Sequence, residues 1–354
     1  MQSAAHQEKH FQQYIIDRLV EQGWKLGDSK FYDTERAVYP EDLESWIKTS
    51  GQQEKWDKLE RLNGAKTLEV LMDRLDKALE KQGTMQVLRQ GFSIAGCGLI
   101  EMTEAAPEDK RNAAVIERYQ ANILRVVPEL KYHPAREFAI DLVLFINGLP
   151  VATVELKTDF TQSCEAAMDQ YRNDRLPYDA QTKRREPLLT FKRGAVVHFA
   201  MSDSEIMMAT KLDGENTFFL PFNKGRKDES GTVHAGNPPG EIKADGTQEY
   251  PVAYFWEAVC QPDAWLRIFH SFVYVEKKDV VDIQGNWSKK ETLIFPRFHQ
   301  WTAVNQMLAD ARENGAGMTY LCDHSAGSGK TSTISWTAHD LVKLREDNGD
   351  SVYK

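Results

Sequence analysis

The sequence has few cysteines, no long apolar run and no excess of positive charge. Its cysteines, Cys97, Cys164, Cys260 and Cys322, are too far apart for a Cys-x-x-Cys metal site or a dense disulfide framework. This spacing is typical of a reducing compartment, so we expect a cytoplasmic protein. No stretch approaches the roughly 18 consecutive apolar residues of a spanning helix, and the polar start lacks a signal-peptide core. We therefore expect no membrane partner.

The balance of charge excludes one mode of binding. The chain has 44 Lys and Arg against 53 Asp and Glu, a formal net charge of -9. Such a chain does not bind nucleic acid through its total charge, so any contact with a polyanion must be local. Its 354 residues are enough for two domains that each bury an apolar core.

Hydrophobic periodicity predicts the order of the secondary structure. Apolar residues at helical spacing predict a helix over residues 8–22 and another over 68–79, and a third helix is predicted over 163–175. Short β-type runs lie at residues 123–127, 142–146, 151–156, 195–201 and 217–220. The order helix, insertion, strand, hairpin, helix, strand predicts an α/β fold with a mixed sheet and helices on its faces.

Composition divides the chain into two predicted domains. The first spans residues 1–250, with a helical insertion over 25–115 and a polar linker over 223–250 that contains many glycines and two adjacent prolines. The second spans residues 251–354. No internal repeat or low-complexity tract interrupts either domain.

A pair of acidic residues flanks a predicted hairpin whose turn is Asn147-Gly148. Asp141 precedes the hairpin, and Glu155 and Lys157 lie at its far end. Residues two apart on a strand share a face, so Glu155 and Lys157 are expected to point the same way. Glu-x-Lys alone is common, since it also occurs at Glu108, Glu129, Glu241 and Glu276. The alternative interpretation of the hairpin is a solvated edge hairpin without catalytic function.

The register of the hairpin decides whether the acids converge. A strict two-residue turn would set Asp141 opposite Val154 and splay the carboxylates. A three-residue loop that includes Leu149 would set Asp141 directly opposite Glu155. We predict this second register, or a β-bulge with the same result.

Convergence of the acids would create a site for a hard cation. Asp141 and Glu155 would each supply a carboxylate oxygen, and the carbonyl of Leu156 would supply a third oxygen, which together suit Mg²⁺. Lys157 would hold the attacking water or stabilise the charge that develops on a phosphate. The pattern therefore predicts hydrolysis of a phosphodiester.

Asp…Glu-x-Lys across a hairpin resembles the core of PD-(D/E)xK nucleases, and the run from Asp141 to Lys157 is most similar to the nuclease domain of type I restriction subunits. This resemblance implies that Asp141, Glu155 and Lys157 cut DNA. One departure is Ile140, which stands where the family pattern has proline.

Two further site residues are implied by the same resemblance. Gln170 matches the glutamine of the family's Gln-x-x-x-Tyr helix, although Asp174 occupies the tyrosine position and Tyr171 follows the glutamine directly. Glu8 matches an acidic residue on the family's first helix. A lone glutamate on a surface helix is more often simply solvated.

A basic stretch follows the hairpin. Residues 172–193 contain seven basic side chains against three acidic ones. This local excess predicts contacts with DNA phosphates that do not read bases, and a solvated loop is the alternative. The predicted DNA-binding residues are Arg172, Arg175, Lys183, Arg184 and Arg185.

A glycine-rich loop follows a predicted short buried strand at residues 318–322 and precedes a predicted helix. This context makes a phosphate-binding loop meaningful, because glycines expose backbone N–H groups and the helix start adds positive potential. Lys330 is expected to reach the β- and γ-phosphates, and Thr331 to ligate Mg²⁺. The predicted ATP-binding residues of the loop are Gly327, Ser328, Gly329, Lys330 and Thr331.

The same region resembles the motors of type I restriction enzymes, whose loop has a histidine at the position of His324. Residues 295–304 resemble the segment of superfamily 2 helicases whose glutamine reads adenine, which implies Gln300 as the adenine contact. A helix is predicted over residues 300–311. The resemblance thus implies the beginning of a RecA-like α/β domain, and the missing acidic pair of such motors leads us to expect a fragment of a longer protein.

The leading interpretation is the restriction subunit of a type I restriction-modification enzyme, which cuts double-stranded DNA with Mg²⁺ and translocates it with ATP. Its implied partners are modification and specificity subunits. One alternative is another nuclease–helicase fusion for DNA repair or defence. A second alternative is a catalytically inert, nuclease-like scaffold.

Overall fold

The computed structural model describes residues 4–108, 111–159, 163–281, 284–325, 327–345 and 349–353. The chain begins with a long helix and a short strand, α1 (Ala4–Glu21) and β1 (Lys25–Leu26). Four helices and a small hairpin follow, namely α2 (Pro40–Thr49), α3 (Gln53–Asn63), α4 (Thr67–Gln82), α5 (Thr84–Gln90), β2 (Phe92–Ile94) and β3 (Gly98–Ile100).

The middle of the chain supplies most of the central sheet. Its elements are α6 (Ala113–Gln120), β4 (Leu124–Lys131), β5 (Ala139–Ile146), β6 (Leu149–Leu156), α7 (Cys164–Asn173), β7 (Val197–Met201), β8 (Ile206–Ala209) and β9 (Leu220–Pro221). The remaining elements are β10 (Arg226–Lys227), β11 (Val233–His234), α8 (Pro262–Arg267), β12 (Tyr274–Val281), β13 (Trp287–Ile294), α9 (Phe298–Asn314) and α10 (Lys330–Lys343). π-Helical turns at Phe255–Val259 and Ile268–Phe272 flank α8.

The central sheet is mixed and has seven strands in the order β1-β4-β5-β6-β7-β8-β9. The pairs β1–β4 and β6–β7 are parallel, and the other neighbouring pairs are antiparallel. Every residue of β6 is buried, as expected for a central strand that is covered on both faces. The predicted mixed α/β sheet with flanking helices is confirmed.

Local patterns explain why the first helix lies where it does. Phe11, Ile15 and Leu19 recur at helical spacing, and all three are buried against one face of the sheet. The helix ends before Gly23, whose φ of 98° is readily adopted only by glycine. Helix α1 thus packs across the sheet with its first turns near the start of β5 and the end of β6. There Gln12 contacts Asp141, and Glu8 contacts Lys157.

Two apolar clusters cover the two faces of the sheet. The larger cluster joins α1, the helices between β1 and β4, and the segment after residue 250 up to Trp336. The smaller cluster includes Tyr171 of α7 and Phe145 of β5. Because the larger cluster runs across residue 250 without a break, packing does not mark the domain boundary predicted there, which stays a prediction. No helix of the described residues is long and apolar enough to cross a membrane.

Two expectations about strands need correction. The predicted buried strand at residues 318–322 is wrong, because no strand is formed there and Met318 and Leu321 are exposed. A strand needs a neighbouring strand to take its backbone hydrogen bonds, and among the described residues no strand pairs with this segment. Of the run at 217–220, only Leu220 lies in a strand, the short strand β9. The strand β8 was not predicted.

Candidate active site

The hairpin between β5 and β6 turns on two residues. Asn147 and Gly148 have φ angles of 49° and 86°, and Ile146 pairs with Leu149 across the turn. Two positive φ angles are typical of the type I′ turn that Asn-Gly favours. The preferred prediction of a three-residue loop is therefore wrong.

A β-bulge in β6 restores the register that brings the acids together. The pairing skips Val151 of β6, so that beyond the bulge Leu142 pairs with Val154. The next residues outward, Asp141 and Glu155, therefore lie opposite each other. The bulge that we gave as the other possibility is confirmed, and such bulges often re-aim side chains beside active sites.

Glu155 is fully buried at the end of β6. Arg175 donates from Nε to Glu155 Oε1 at 2.6 Å, while Glu155 Oε2 has no hydrogen-bond partner in the described part of the chain. Burial raises the pKa of Glu155 well above its usual value, the negative charge of Asp141 raises it further, and Arg175 opposes both effects. The site therefore contains a buried carboxylate oxygen that is available to a ligand.

Asp141 is held by two neighbouring elements. The backbone N–H of Leu156 donates to Asp141 Oδ2 at 2.6 Å. From α1, Gln12 Nε2 donates to the backbone carbonyl of Asp141 at 2.7 Å. The carboxylate of Asp141 is thus fixed against β6 beside Glu155, and its backbone is fixed against α1.

On the side of the site where α1 packs, Lys157 contacts Glu8 of this helix. Lys157 Nζ lies 3.4 Å from both carboxylate oxygens of Glu8 and donates to the carbonyl oxygen of Leu156 at 2.8 Å. Burial raises the pKa of Glu8, the nearby Lys157 opposes this shift, and the charge of Asp141 adds to it. The predicted neighbours Asp141, Glu155, Lys157 and Glu8 therefore lie in one region.

The donor set fits a hard divalent cation. Asp141 and Glu155 contribute carboxylates, and Leu156, which directly follows Glu155 at the end of β6, contributes its backbone carbonyl. All three donors are oxygens, which Mg²⁺ prefers, and the unpartnered Oε2 of Glu155 is a buried acceptor that a cation would satisfy. Lys157 already bonds the Leu156 carbonyl, so a bound ion would share this oxygen with an ammonium group.

Helix α7 presents Tyr171 beneath the carboxylates. Tyr171 is fully buried, and its hydroxyl lies 2.7 Å from Thr153 Oγ1. Burial raises the pKa of Tyr171, and the charge of Glu155 contributes to this rise. Gln170 is half-buried, and its carbonyl accepts the N–H groups that end the helix. The role of Gln170 in the site stays a prediction.

Two of the predicted phosphate-binding arginines have acidic partners at 3.0 Å or less. Arg172 is half-buried and bonds Glu165 and Asp169 on its own helix at 2.8 and 3.0 Å. Arg175 does not lie on the surface, because its guanidinium is buried against Glu155. The interpretation of Arg175 as a surface contact therefore needs correction, since the fold uses it as the counter-charge of a buried acid.

The other three predicted basic residues are exposed. Arg184 lies 3.5 Å from Glu35, and Arg185 lies 3.4 Å from Glu80. Lys183 is exposed with a φ of 58°. Exposed pairs at such distances are weak, so these side chains are free to exchange partners. Their contact with DNA stays a prediction.

A second cluster near the site has the composition of a metal centre but not its hydrogen bonding. His133 Nε2 lies 3.4 Å from both Asp179 Oδ2 and Glu186 Oε1. The N–H of Ala135 donates to His133 Nδ1 at 3.0 Å, which assigns the ring proton to Nε2. Nε2 thus carries a proton on the side of the two carboxylates and offers no lone pair to a metal ion, while Asp179 Oδ2 has no hydrogen-bond partner among the described residues.

Sequence patterns missed two side chains in the site. Gln12 lies one helical turn after Glu8 and bonds both Asp141 and Glu129, so its spacing from Glu8 could have revealed it. Glu129 was set aside as a common Glu-x-Lys. Its position becomes visible only when β4 pairs with β5.

The glycine-rich loop contains two glycines with positive φ angles and leads directly into α10. Gly327 and Gly329 have φ angles of 73° and 84°, and α10 begins directly after Gly329. Lys330 Nζ donates to the carbonyl of His324, and to that of Ser325 at 3.3 Å. Ser328 Oγ is buried without a partner in the described chain. The ammonium group therefore lies inside the loop that is predicted to hold phosphates.

Gln300 supports this loop from α9. It is buried, and its Nε2 donates to the carbonyl of Gly329 at 2.9 Å while Oε1 accepts the N–H of Arg297 at 2.9 Å. Thr331, the predicted Mg²⁺ ligand, is exposed at the start of α10. Both ends of the Gln300 amide are thus engaged by the protein, and its contact with adenine stays a prediction.

Comparison with known proteins identifies the family of the nuclease part. Residues 6–217, more than half of the chain, match the family described as the type I restriction enzyme R protein N terminus. The match includes α1, the hairpin and α7, and it ends before the glycine-rich loop. No curated protein shows a significant match. This family implies DNA and the modification and specificity subunits as partners. The chain belongs to the family of N-terminal regions of type I restriction enzyme R proteins.

Proposed function

We propose that the chain is the nuclease part of a restriction subunit that hydrolyses double-stranded DNA in the cytoplasm with Mg²⁺. The observation that carries this proposal is the bulged hairpin that sets Asp141 opposite Glu155 beside Lys157. Membership in the type I family supports it, because the matched region contains all three residues. The modification and specificity subunits would supply recognition of the DNA site.

The proposed Mg²⁺ ligands are Asp141, Glu155 and the carbonyl of Leu156. A bound ion would supply Lewis acidity and polarise the phosphodiester. The hydrogen bond from the Leu156 N–H fixes one oxygen of Asp141, and Arg175 fixes one oxygen of Glu155. Because each acid has one oxygen held by the protein, its other oxygen is oriented before DNA arrives.

Lys157 is the group that we propose to act on the reacting atoms. Its ammonium is largely buried and is held between Glu8 and the Leu156 carbonyl. It would donate a hydrogen bond to the attacking water or to the phosphate oxygen that gains charge. Glu8 would keep the ammonium in place, as a positioning residue.

We also propose that the second part of the chain binds ATP as the start of a translocase motor. Gly327, Ser328 and Gly329 would surround the phosphates, and Lys330 would exchange its bonds to loop carbonyls for the β- and γ-phosphates. Thr331 would contribute to a Mg²⁺ site. Gln300 would have to release Gly329 or Arg297 to contact adenine.

DNA would reach the site across exposed basic side chains. Lys183, Arg184 and Arg185 lie on the loop that leads away from α7, and the exposed acidic partners of the two arginines bind them weakly. They would contact phosphates without reading bases. Arg172 could join them only by leaving Glu165 and Asp169.

Cleavage of supercoiled plasmid by the full complex tests the nuclease assignment. Asp141→Ala and Lys157→Ala are expected to abolish cutting while ATP hydrolysis by the same complex continues. Asp57→Ala and Lys131→Ala, which remove the same charges from exposed positions, serve as matched controls. Retained cutting in both site variants would contradict the assignment and leave an inert scaffold as the better interpretation.

A further inference from the structure

Glu129 of β4 lies in line with the two proposed metal ligands. Its neighbours Pro128 and Leu130 pair with Leu142 and Ile140 of β5, so Glu129 falls opposite Asp141. Asp141 in turn lies opposite Glu155 of β6, the other proposed metal ligand. Three adjacent strands therefore each place a carboxylate at the same level of the sheet.

The backbone of Glu129 is in an unfavourable conformation. Its φ of 46° lies in the left-handed region, which costs a residue other than glycine about 1–2 kcal/mol. Glutamate lacks the short polar side chain that lets asparagine or aspartate adopt this conformation locally. Such strain persists where the surrounding structure compensates for it, and it is frequent at functional sites.

The side chain of Glu129 is tied to the proposed site at one oxygen. Gln12 Nε2 donates to Glu129 Oε1 at 3.1 Å and to the carbonyl of Asp141 at 2.7 Å. Glu129 as a whole is exposed. The negative charge of Glu129 also contributes to the raised pKa of Glu8, which places the two carboxylates near each other.

The negative charge of Glu129 would repel DNA unless a cation lies between this carboxylate and the phosphates. An exposed carboxylate at the entrance repels a phosphate, and with Glu8 and Asp141 it adds to a negative potential that Lys157 only partly offsets. The centre independently shows a ligand requirement, because Glu155 Oε2 is fully buried without a partner in the described residues. A divalent ion with its bound water would satisfy both conditions.

We propose that Glu129 is a further carboxylate of the nuclease centre and holds the water shell of its divalent ions through Oε2. This inference rests on the proposed function and adds a residue to it. Mg²⁺ keeps several waters when it binds proteins, so a carboxylate can hold the ion by accepting hydrogen bonds from those waters. Gln12 orients Glu129 and the Asp141 backbone together, and acts as a positioning residue.

Three substitutions separate this role from a structural one. Glu129→Gln keeps size and the bond to Gln12 but removes the charge. Glu129→Gly also removes the charge and relieves the left-handed strain, so it is expected to raise the thermal midpoint of unfolding. Glu54→Gln on α3 removes one exposed negative charge from a surface helix and is the matched control.

Binding of Mn²⁺ to the full-length subunit, followed by electron paramagnetic resonance, gives a readout that does not depend on cutting. Glu129→Gln and Glu129→Gly are expected to weaken Mn²⁺ binding roughly tenfold, the loss typical of residues that support metal ligands. Glu54→Gln is expected to bind like the wild type. Cleavage of supercoiled plasmid by the full complex should require a correspondingly higher Mg²⁺ concentration in both Glu129 variants.

The outcomes distinguish this inference from the proposed nuclease function. Unchanged Mn²⁺ affinity and unchanged Mg²⁺ dependence in Glu129→Gln, with cutting still lost in Asp141→Ala, would overturn the role of Glu129 alone. Cutting that survives in Asp141→Ala would overturn the nuclease function itself. A more stable Glu129→Gly protein with weakened Mn²⁺ binding would support the inference, because a purely structural residue would not lose metal affinity while gaining stability.

Discussion

Replacing Arg175 with alanine tests whether a buried ion pair holds the candidate site together. Arg175 donates to Glu155 at 2.6 Å, and the side chains of the two residues are 11% and 0% exposed. The substitution would leave Glu155 buried beside Asp141 without a positive partner. It thus changes the site through its electrostatics and leaves the strands themselves intact.

The size of the effect follows from burial. Removing one partner of a buried pair costs about 3–5 kcal/mol, because the remaining charge is not solvated. Arg175→Ala is therefore expected to lower the free energy of unfolding at neutral pH by about this amount. Replacing both partners is expected to cost less than Arg175→Ala alone, since Glu155→Gln removes the isolated charge.

The assay is urea unfolding followed by tryptophan fluorescence for the wild type, Arg175→Ala, Glu155→Gln and the double variant. Arg172→Ala is the matched control, because Arg172 is also an arginine of this region but pairs with exposed acids on its own helix. Its expected cost is at most about 1 kcal/mol.

Two results would refute the reasoning about the buried pair. The first is an equal loss of stability in Arg175→Ala and Arg172→Ala. The second is a double variant with Glu155→Gln that is no more stable than Arg175→Ala, which would show that Arg175 contributes through packing of its carbon chain.

Three further substitutions have expected outcomes. Burial lowers the pKa of His198 from 6.5 to about 3, so the neutral ring contributes stability above pH 6.5 that is lost as the pH falls toward 3. Urea unfolding of His198→Gln should lack this part of the acid dependence, about 1.4 kcal/mol per pH unit, and equal slopes would contradict the prediction. Gly148→Ala should lose more stability in the same assay than Gly64→Ala, because both glycines have positive φ but only at Gly148 would a Cβ meet a backbone carbonyl, at 2.7 Å. An equal loss of stability in the two variants would mean that the backbone near Gly148 shifts to accommodate the Cβ. Lys330→Ala in the full-length subunit should weaken binding of a fluorescent ATP analogue at least about tenfold, as for the loss of a charge-assisted hydrogen bond, and Lys343→Ala should not. Equal affinities would remove Lys330 from the nucleotide site.

Sequence patterns predicted the elements that build the site more reliably than the contacts within it. The helix over residues 8–22, the hairpin with its Asn147-Gly148 turn and the strand β7 are present because their apolar periodicity reports burial directly. The segment at residues 318–322 has a similar apolar pattern but forms no strand. Periodicity identifies a strand that is able to pair, while pairing itself needs a neighbour.

For the candidate site, too, the sequence predicted the residues but not how they meet. The spacing of Asp141, Glu155 and Lys157 was enough to propose a hairpin nuclease, since the period of a strand fixes which side chains share a face. Convergence of the two acids depended on a β-bulge, which no local signal located at Val151 of β6. Turn chemistry alone would have separated them.

The sequence by itself determined the family, the hairpin and the acids and lysine on it, because these depend on residues close together along the chain. Only the tertiary structure decided that Arg175 is the buried counter-charge of Glu155 and that Glu129 lies opposite Asp141. These contacts join residues that lie far apart in the sequence, and their energies come from burial and charge at short distance. Neither quantity exists until the strands pair and α1 and α7 cover the sheet.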